Sequence, residues 1–273
     1  MIYDCFQFND ELDLLEIRLN HHSFVDKFIL IESTRTYNGK PKPLNYLLNH
    51  LRYQEFKDKI YHIVLDFPFE TNSGWQYEHL QRNILRGFTF QPDDLIIYSD
   101  CDEIIKDKTI LDSDMKDGII DLQMDLCFYY FNLRLIDKKK SHEDYHLNSC
   151  FGNKFHMAKV ITPEFMMSKN NLYEIRQHNI MNPRNIVKNA GWHFSNLGDS
   201  GRILDKLQAI SHWGESSFQG LTIERIEQNK NNLIDPLGRD GCIYDIIPDE
   251  DLPGYIINNK EKFNEYFTCE RKA

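Results

Sequence analysis

The chain has 273 residues, 41% of them hydrophobic and 13% aromatic, enough to bury a sizeable core as one large domain or as a domain with an appendage. Its formal net charge of −10 argues against a nucleic-acid-binding surface, which needs a basic stripe to meet phosphates. An acidic protein still binds an anionic nucleotide where a metal supplies positive charge.

In chain order, Met1 to Phe6 reads as a short strand and Asn9 to Leu19 as a helix. Asn9 or Asp10 is placed to cap that helix, and Leu12, Leu15 and Leu19 recur at helical spacing. Lys27 to Ser33 is a strongly apolar second strand, so the opening is a βαβ unit. A loop of cations and rigid turn residues follows from Thr34 to Leu44, in which Lys40 and Lys42 either face a phosphate or are simply solvated. A helix over Leu47 to Phe56, a strand over Ile60 to Leu65 and a helix over Trp75 to Phe88 lead to the run Leu95-Ile96-Ile97-Tyr98.

That apolar run has strand length and stops at Ser99-Asp100-Cys101-Asp102-Glu103. On an extended backbone Asp100 and Asp102 share one side and Glu103 takes the other. Two carboxylates at the carboxyl end of a buried strand can grip Mg²⁺ or Mn²⁺ and leave positions free for diphosphate oxygens. The bland alternative is a strand that ends in a solvated acidic turn, since so short a motif matches freely.

Beyond it, Ile119 to Phe131 reads as one long strand whose aromatic residues suit either a groove for a sugar ring or the core. Lys138 to Asp144 is a polar loop, and a second βα-like region runs through Cys150 to Ile161 and Leu172 to Arg176. In Ala190 to Asp199 a histidine, His193, sits between aromatic residues ahead of a helix over Arg202 to Ser211. It reads as a core histidine or, aimed into the crevice of Asp100 and Asp102, as a third metal ligand. His212 and Glu215 follow that helix, and the tail carries a polar helix, a turn-rich loop and an amphipathic stretch around Tyr255 to Phe267.

Six cysteines, Cys5, Cys101, Cys127, Cys150, Cys242 and Cys269, form no Cys-x-x-Cys pair, so free thiols are expected rather than a zinc site or a disulfide framework. No signal-peptide pattern opens the sequence, no stretch reaches the ~20 apolar residues of a membrane span, and a cytoplasmic protein without a membrane span is expected.

Tyr3-Asp4-Cys5-Phe6, Asn9 to Arg18, Glu32-Ser33, Thr36, Gly39 to Leu44, the helix with Trp75 and Arg82, Asp100 to Ile104, Gly191 to Ser195 and His212 follow one another in an order that resembles glycosyltransferase family 17. The resemblance implies an α/β, GT-A-type nucleotide-sugar-binding fold with a mixed, mostly parallel central sheet flanked by helices. Residues 1–273 then form a single domain, with 1–105 as the nucleotide-binding half and 106–273 as the acceptor-binding half and C-terminal helical tail. It also implies metal-dependent, inverting transfer of N-acetylglucosamine from UDP-N-acetylglucosamine to a sugar hydroxyl of a glycan acceptor, with Mn²⁺ or Mg²⁺ as cofactor.

On the matched residues, Asp100 and Asp102 would hold the metal and the donor, with His193 completing the shell and His212 as its substitute. Glu32 would contact the uridine, and Lys40, Lys42 and Arg82 would hold the diphosphate, for which Arg is well shaped. Inversion needs a general base, for which Glu215 and Asp125 are the candidates, Glu215 ahead because it lies near the histidines. A haloacid-dehalogenase-type phosphatase fits poorly with Glu103-Ile104 after Asp102, and an EF-hand fails because its sixth position would be Ile105 instead of Gly. A non-catalytic sugar-binding protein of the same fold remains as the alternative, separable by assaying UDP-sugar hydrolysis.

Overall fold

The computed structural model describes residues 1–68, 73–138, 150–151, 154–177, 185–239 and 242–268. The apolar runs of the first hundred residues become four parallel strands, β1 (Ile2–Phe8), β2 (Lys27–Ser33), β3 (Ile60–Leu65) and β4 (Leu95–Asp100), in spatial order β3-β2-β1-β4. On β2, Phe28 and Leu30 enter one hydrophobic cluster while Ile29 and Ile31 enter another. Both faces of the strand are therefore covered, which is why its sequence runs apolar without alternation.

Helix α1 (Leu12–His21) joins β1 to β2. Neither Asn9 nor Asp10 caps it; the chain enters the helix at Glu11, whose carboxylate accepts from the amides of Asn9 and Asp10 at 3.2 Å each. The next two expected helices are shorter than their apolar spacing suggests. Helices α2 (Asn45–Asn49) and α3 (Gly74–Asn83) both tighten into 3₁₀ turns, His50–Phe56 and Ile84–Gly87. In the first, Tyr53 leaves helical geometry with its ring buried and its hydroxyl donating to the Leu12 carbonyl at 2.8 Å, so a tertiary contact overrides the helical period.

After β5 (Glu103–Ile105), the single strand expected over Ile119 to Phe131 is two strands in different sheets, β6 (Ile119–Leu122) and β7 (Met124–Phe128). Gln123 makes the switch by donating its amide to the Val187 carbonyl at 2.9 Å and accepting from the Ala190 amide at 2.8 Å. The remaining strands are β8 (Leu133–Lys138), β9 (Cys150–Phe151), β10 (Lys154–Phe155), β11 (Lys159–Ile161), β12 (Ile186–Val187), β13 (Gly191–Ser195) and β14 (Cys242–Ile246). Between and after them lie α4 (Pro163–Met167), α5 (Tyr173–Arg176), α6 (Ser200–Ala209), α7 (Ile223–Asn231) and α8 (Gly254–Asn258).

The first sheet has the order β12-β6-β11-β4-β1-β2-β3, with β11 antiparallel to both neighbours and the other pairs parallel. It is the mixed, mostly parallel sheet expected, and strands from beyond residue 106 complete it. A second sheet, β14-β8-β7-β10-β9, carries two further strands off that path: β13 pairs with β7 and with β5, the strand that follows the acidic turn. The C-terminal stretch expected as one amphipathic element is α8 and a 3₁₀ turn at Asn264–Tyr266; Ile256, Phe263 and Tyr266 pack against Phe131, Trp192 and Phe194. Cys5, Cys101, Cys127 and Cys242 are free thiols, while the loop at 139–144 and Cys269 lie outside the described residues. No described helix is long and apolar enough to cross a membrane.

Candidate active site

The chain leaves β1 to build β2 and β3 on one side and returns to place β4 on the other. The carboxyl ends of β1 and β4 therefore meet at a topological switch point, the place where open α/β sheets bind ligands. Gln7 and Asp100 are register partners there. A cleft of about 610 Å³ opens over them, lined by residues from both sheets and from the loops after β2 and α6.

Behind the cleft, Arg18 on α1 is fully buried. Its Nη1 donates to the carbonyls of Asp100 at 2.7 Å, Cys101 at 3.2 Å and Glu103 at 2.7 Å. Nη2 donates to Asp4 and Ser99, Nε to Asp4 at 2.9 Å, and His22 Nδ1 lies 2.8 Å from the same Asp4 carboxylate. A planar fork of five N–H groups thus pins the backbone of the acidic turn from inside the protein.

In front, Asp100 accepts from Arg82 Nη2 at 2.9 Å and from Arg176 Nη2 at 2.6 Å. Asp102 accepts from Lys206 Nζ at 2.7 Å and lies 3.4 Å from His193 Nε2. Burial alone would raise both carboxyls; Arg176 and Arg82 hold Asp100 below its ordinary value, and Lys206 with His193 holds Asp102 well below it. Cys101 and Asp102 form a turn instead of continuing the strand, so Glu103 does not take the side opposite Asp100 as the extended reading expects: it is fully buried, shares Arg176 Nη2 with Asp100 and accepts the Asp100 amide at 2.9 Å.

His193 reaches Asp102 because β13 lies against β5. His193 is paired with Glu103, and the Phe194 amide donates to the Asp102 carbonyl at 2.9 Å. Gly191 allows that approach, since a Cβ there would sit 2.1 Å from the Ile104 carbonyl oxygen.

Asp100, Asp102 and His193 do not present the three-ligand metal set expected of them. Both Asp100 oxygens are engaged by guanidinium groups and the Asp102 oxygen nearest His193 carries an ammonium. Among the described residues no group of three or more His, Cys, Asp and Glu side chains is arranged to hold an ion. The disagreement is chemical: the turn's charge is already balanced by the chain's own cations.

Of the other residues singled out, Lys42, Arg82, His212 and Glu215 line the cleft. His212 Nδ1 and Glu215 Oε1 are 2.8 Å apart, and the His212 ring meets Trp75 edge to face at 4.3 Å. Glu32 is fully buried and away from the cleft lining, accepting from the Tyr46 amide at 3.0 Å and facing His62 Nε2 at 2.9 Å. Lys40 is exposed and is not part of the lining. Asp125, on β7, is likewise absent from the lining and is paired with Arg134 and Lys154 from neighbouring strands.

Sequence reasoning missed Arg18, Arg176, Lys206 and Glu11, all of which touch the acidic turn or its partners. For Arg18 a signal existed: Leu14, Ile17 and Arg18 fall on the buried stripe of α1, where an unpaired charge is costly. Arg176 and Lys206 stand in stretches that read as ordinary polar helix.

Residues 1–158 match the profile of glycosyltransferase family 17. The β-1,4-mannosyl-glycoprotein 4-β-N-acetylglucosaminyltransferase of Homo sapiens is 31% identical over 121 residues, which cover 40% of this chain and 23% of that protein. The enzyme of the same name from Rattus norvegicus is 29% identical over 128 residues, covering 43% of this chain and 24% of that one. The match thus spans about a quarter of the length of these curated relatives. Among solved structures, 4-diphosphocytidyl-2C-methyl-D-erythritol synthase from Anaerococcus prevotii aligns with TM-score 0.36 at 11% identity, covering 69% of this chain and 89% of that one. Glucosyl-3-phosphoglycerate synthase from Mycobacterium tuberculosis aligns with TM-score 0.36 at 9% identity, over 71% and 70% of the two chains.

Proposed function

Because the chain belongs to glycosyltransferase family 17, we propose that it transfers N-acetylglucosamine from UDP-N-acetylglucosamine to a sugar hydroxyl of a glycan acceptor, with inversion at the anomeric carbon. The observation that carries this reading is the set of three cations, Arg82, Arg176 and Lys206, gathered on Asp100 and Asp102 at the mouth of a cleft at the sheet's switch point. A site of this kind suits a donor whose leaving group is a diphosphate, because fixed cations at the departing oxygen stabilise charge that develops in the transition state.

Further support comes from buried N–H groups without a hydrogen-bond partner among the described residues: Gln7 Nε2, Arg35 Nε and Gln81 Nε2, all on residues that line the cleft. Each such donor costs about 1–3 kcal/mol while unsatisfied, and the carbonyls of a uracil or the oxygens of a ribose and diphosphate would recover it. N-acetylglucosamine as the transferred sugar rests on the names of the relatives.

In the proposed reaction the acceptor oxygen bonds to the anomeric carbon as the carbon–oxygen bond to UDP breaks, the bonding pair leaving with the diphosphate. The acceptor proton passes to the His212–Glu215 pair, whose Nδ1 and Oε1 lie 2.8 Å apart in the cleft lining. Arg82 and Arg176 orient Asp100 and meet the diphosphate, while the wall at Trp75 and Tyr173, whose rings are 5.5 Å apart edge to face, offers apolar faces to a sugar.

The test is UDP release from UDP-N-acetylglucosamine, UDP-glucose, UDP-galactose and GDP-mannose in the presence of mannose-terminated glycans. Turnover of UDP-N-acetylglucosamine that rises with acceptor is expected. Turnover of another sugar nucleotide in its place would replace the donor, and binding with no turnover of any would make the chain a binding protein.

A further inference from the structure

Lys206 stands in an unusual position for a lysine of a nucleotide-sugar site. It projects from the second turn of α6, 20% exposed, with its ammonium 2.7 Å from Asp102 Oδ2 and 3.4 Å from Glu11 Oε1. The other groups facing it are Asp10 and, across Asp102, His193. Lys206 therefore occupies the same Asp102 oxygen that lies 3.4 Å from His193 Nε2.

We propose that Lys206 is the resident cation of the donor site, standing where a divalent metal would otherwise bind and competing with one for Asp102. Its ammonium balances Asp102 in the unliganded cleft and faces the departing diphosphate when a donor is bound. Glu11 is the alternative partner onto which it moves when a metal takes Asp102. This deepens the proposed function by setting Lys206 in the place of a metal at Asp102, and it rests on that reading only for the second of two measurements.

The first measurement is a titration of nucleotide-free protein with Mn²⁺, read from the paramagnetic resonance of the free ion, for wild type, Lys206→Met, Lys206→Gln and Lys206→Arg. Removing a positive charge that lies within 3 Å of a ligand oxygen should tighten Mn²⁺ binding by about tenfold or more in both neutral variants, with Lys206→Arg staying near wild type. Neutral variants that keep native circular dichroism and bind Mn²⁺ no more tightly than wild type would overturn the proposal.

The second measurement is UDP binding by calorimetry in excess chelator and in Mn²⁺. Wild type should bind UDP within about twofold under the two conditions, while Lys206→Met should lose about tenfold in chelator and regain it with Mn²⁺. Wild-type binding that collapses in chelator as far as the variant's would overturn it as well. Failure of all variants to bind UDP would instead remove the donor assignment, while the Mn²⁺ titration still decides the place of Lys206.

Discussion

Two arginine–carboxylate networks meet at the same four residues and behave as opposites. Behind the acidic turn, Arg18 spends its fork on Asp4, Ser99 and three backbone carbonyls, in a space with no solvent exposure. In front, Arg82, Arg176 and Lys206 hold Asp100 and Asp102 from the wall of an open cleft. The closed network fixes geometry because no partner can be exchanged, whereas the open one can trade a side chain for a ligand oxygen. Rigid backbone behind and exchangeable charge in front is what a site needs if its carboxylates are to be held within tenths of an ångström while their partners change.

The sharpest way to break the contrast is from behind. Arg18→Met leaves Asp4 a buried, half-paired carboxylate and should destabilise the fold by about 3–5 kcal/mol, read as the midpoint of urea unfolding. Arg18→Lys keeps the charge but not the fork, so it should cost less stability and yet lower donor turnover, because a single ammonium cannot reach three carbonyls together. Equal stability in Arg18→Met would show that the rear network is not what holds the turn.

From the front, the expected loss is in chemistry. Asp102→Asn removes the charge that Lys206 and His193 face while keeping the shape, and it should lower transfer by about 10²-fold with a smaller fall in melting temperature than Arg18→Met. A large fall in melting temperature would place Asp102 with the structural network instead.

The same contrast explains what was legible in the sequence. Strands β2 and β4 could be read because their apolar residues run unbroken, as burial on both faces requires; the acidic turn could be read because polarity stops the β4 run abruptly. The split of Ile119–Phe131 into β6 and β7 could not, since Gln123 turns the chain between sheets by backbone bonds to Val187 and Ala190, which no side-chain pattern records. Lys206 and Arg176 were hidden for a related reason. Their significance is a contact with a residue 104 positions away for Lys206 and 76 for Arg176, and a charged side chain on a helix looks the same whether it meets water or Asp102. Glu32 misled in the other direction: its place at a strand end suggested a ligand, but β2 lies inside the sheet between β1 and β3, and the Glu32 carboxylate is taken up by the Tyr46 amide and His62.

Acid titration should separate the two networks by pH. His21, whose pKa is lowered to about 4 chiefly by burial and also by His22, and His22 itself, lowered by burial, flank the rear network. The unfolded chain protonates these imidazoles near the ordinary 6.5 while the folded chain resists, so stability is greatest above 6.5 and falls as pH drops from there toward about 4. Asp102 acts lower down: its folded pKa lies below 3.8, so its contribution is present above 3.8 and is lost only as pH falls further. The melting temperature should therefore decline in two stages, and His21→Gln should flatten the first while Asp102→Asn flattens the second.

The smallest effect is expected at Asp125, and it bears on the identity of the base. On sequence Asp125 and Glu215 are the two candidates, with Glu215 ahead only because it lies near the histidines. Asp125 is held between Arg134 at 3.0 Å and Lys154 on the second sheet, whereas Glu215 lines the cleft beside His212. Partly exposed pairs contribute little, so Asp125→Asn should cost about 1 kcal/mol or less and leave transfer near wild type, while Glu215→Gln should lower turnover at every acceptor concentration with little change in donor affinity. If Asp125→Asn were the variant that lost turnover, the acceptor would have to approach from the second sheet, and the charge at Arg134 and Lys154 would have to be counted as part of the open network.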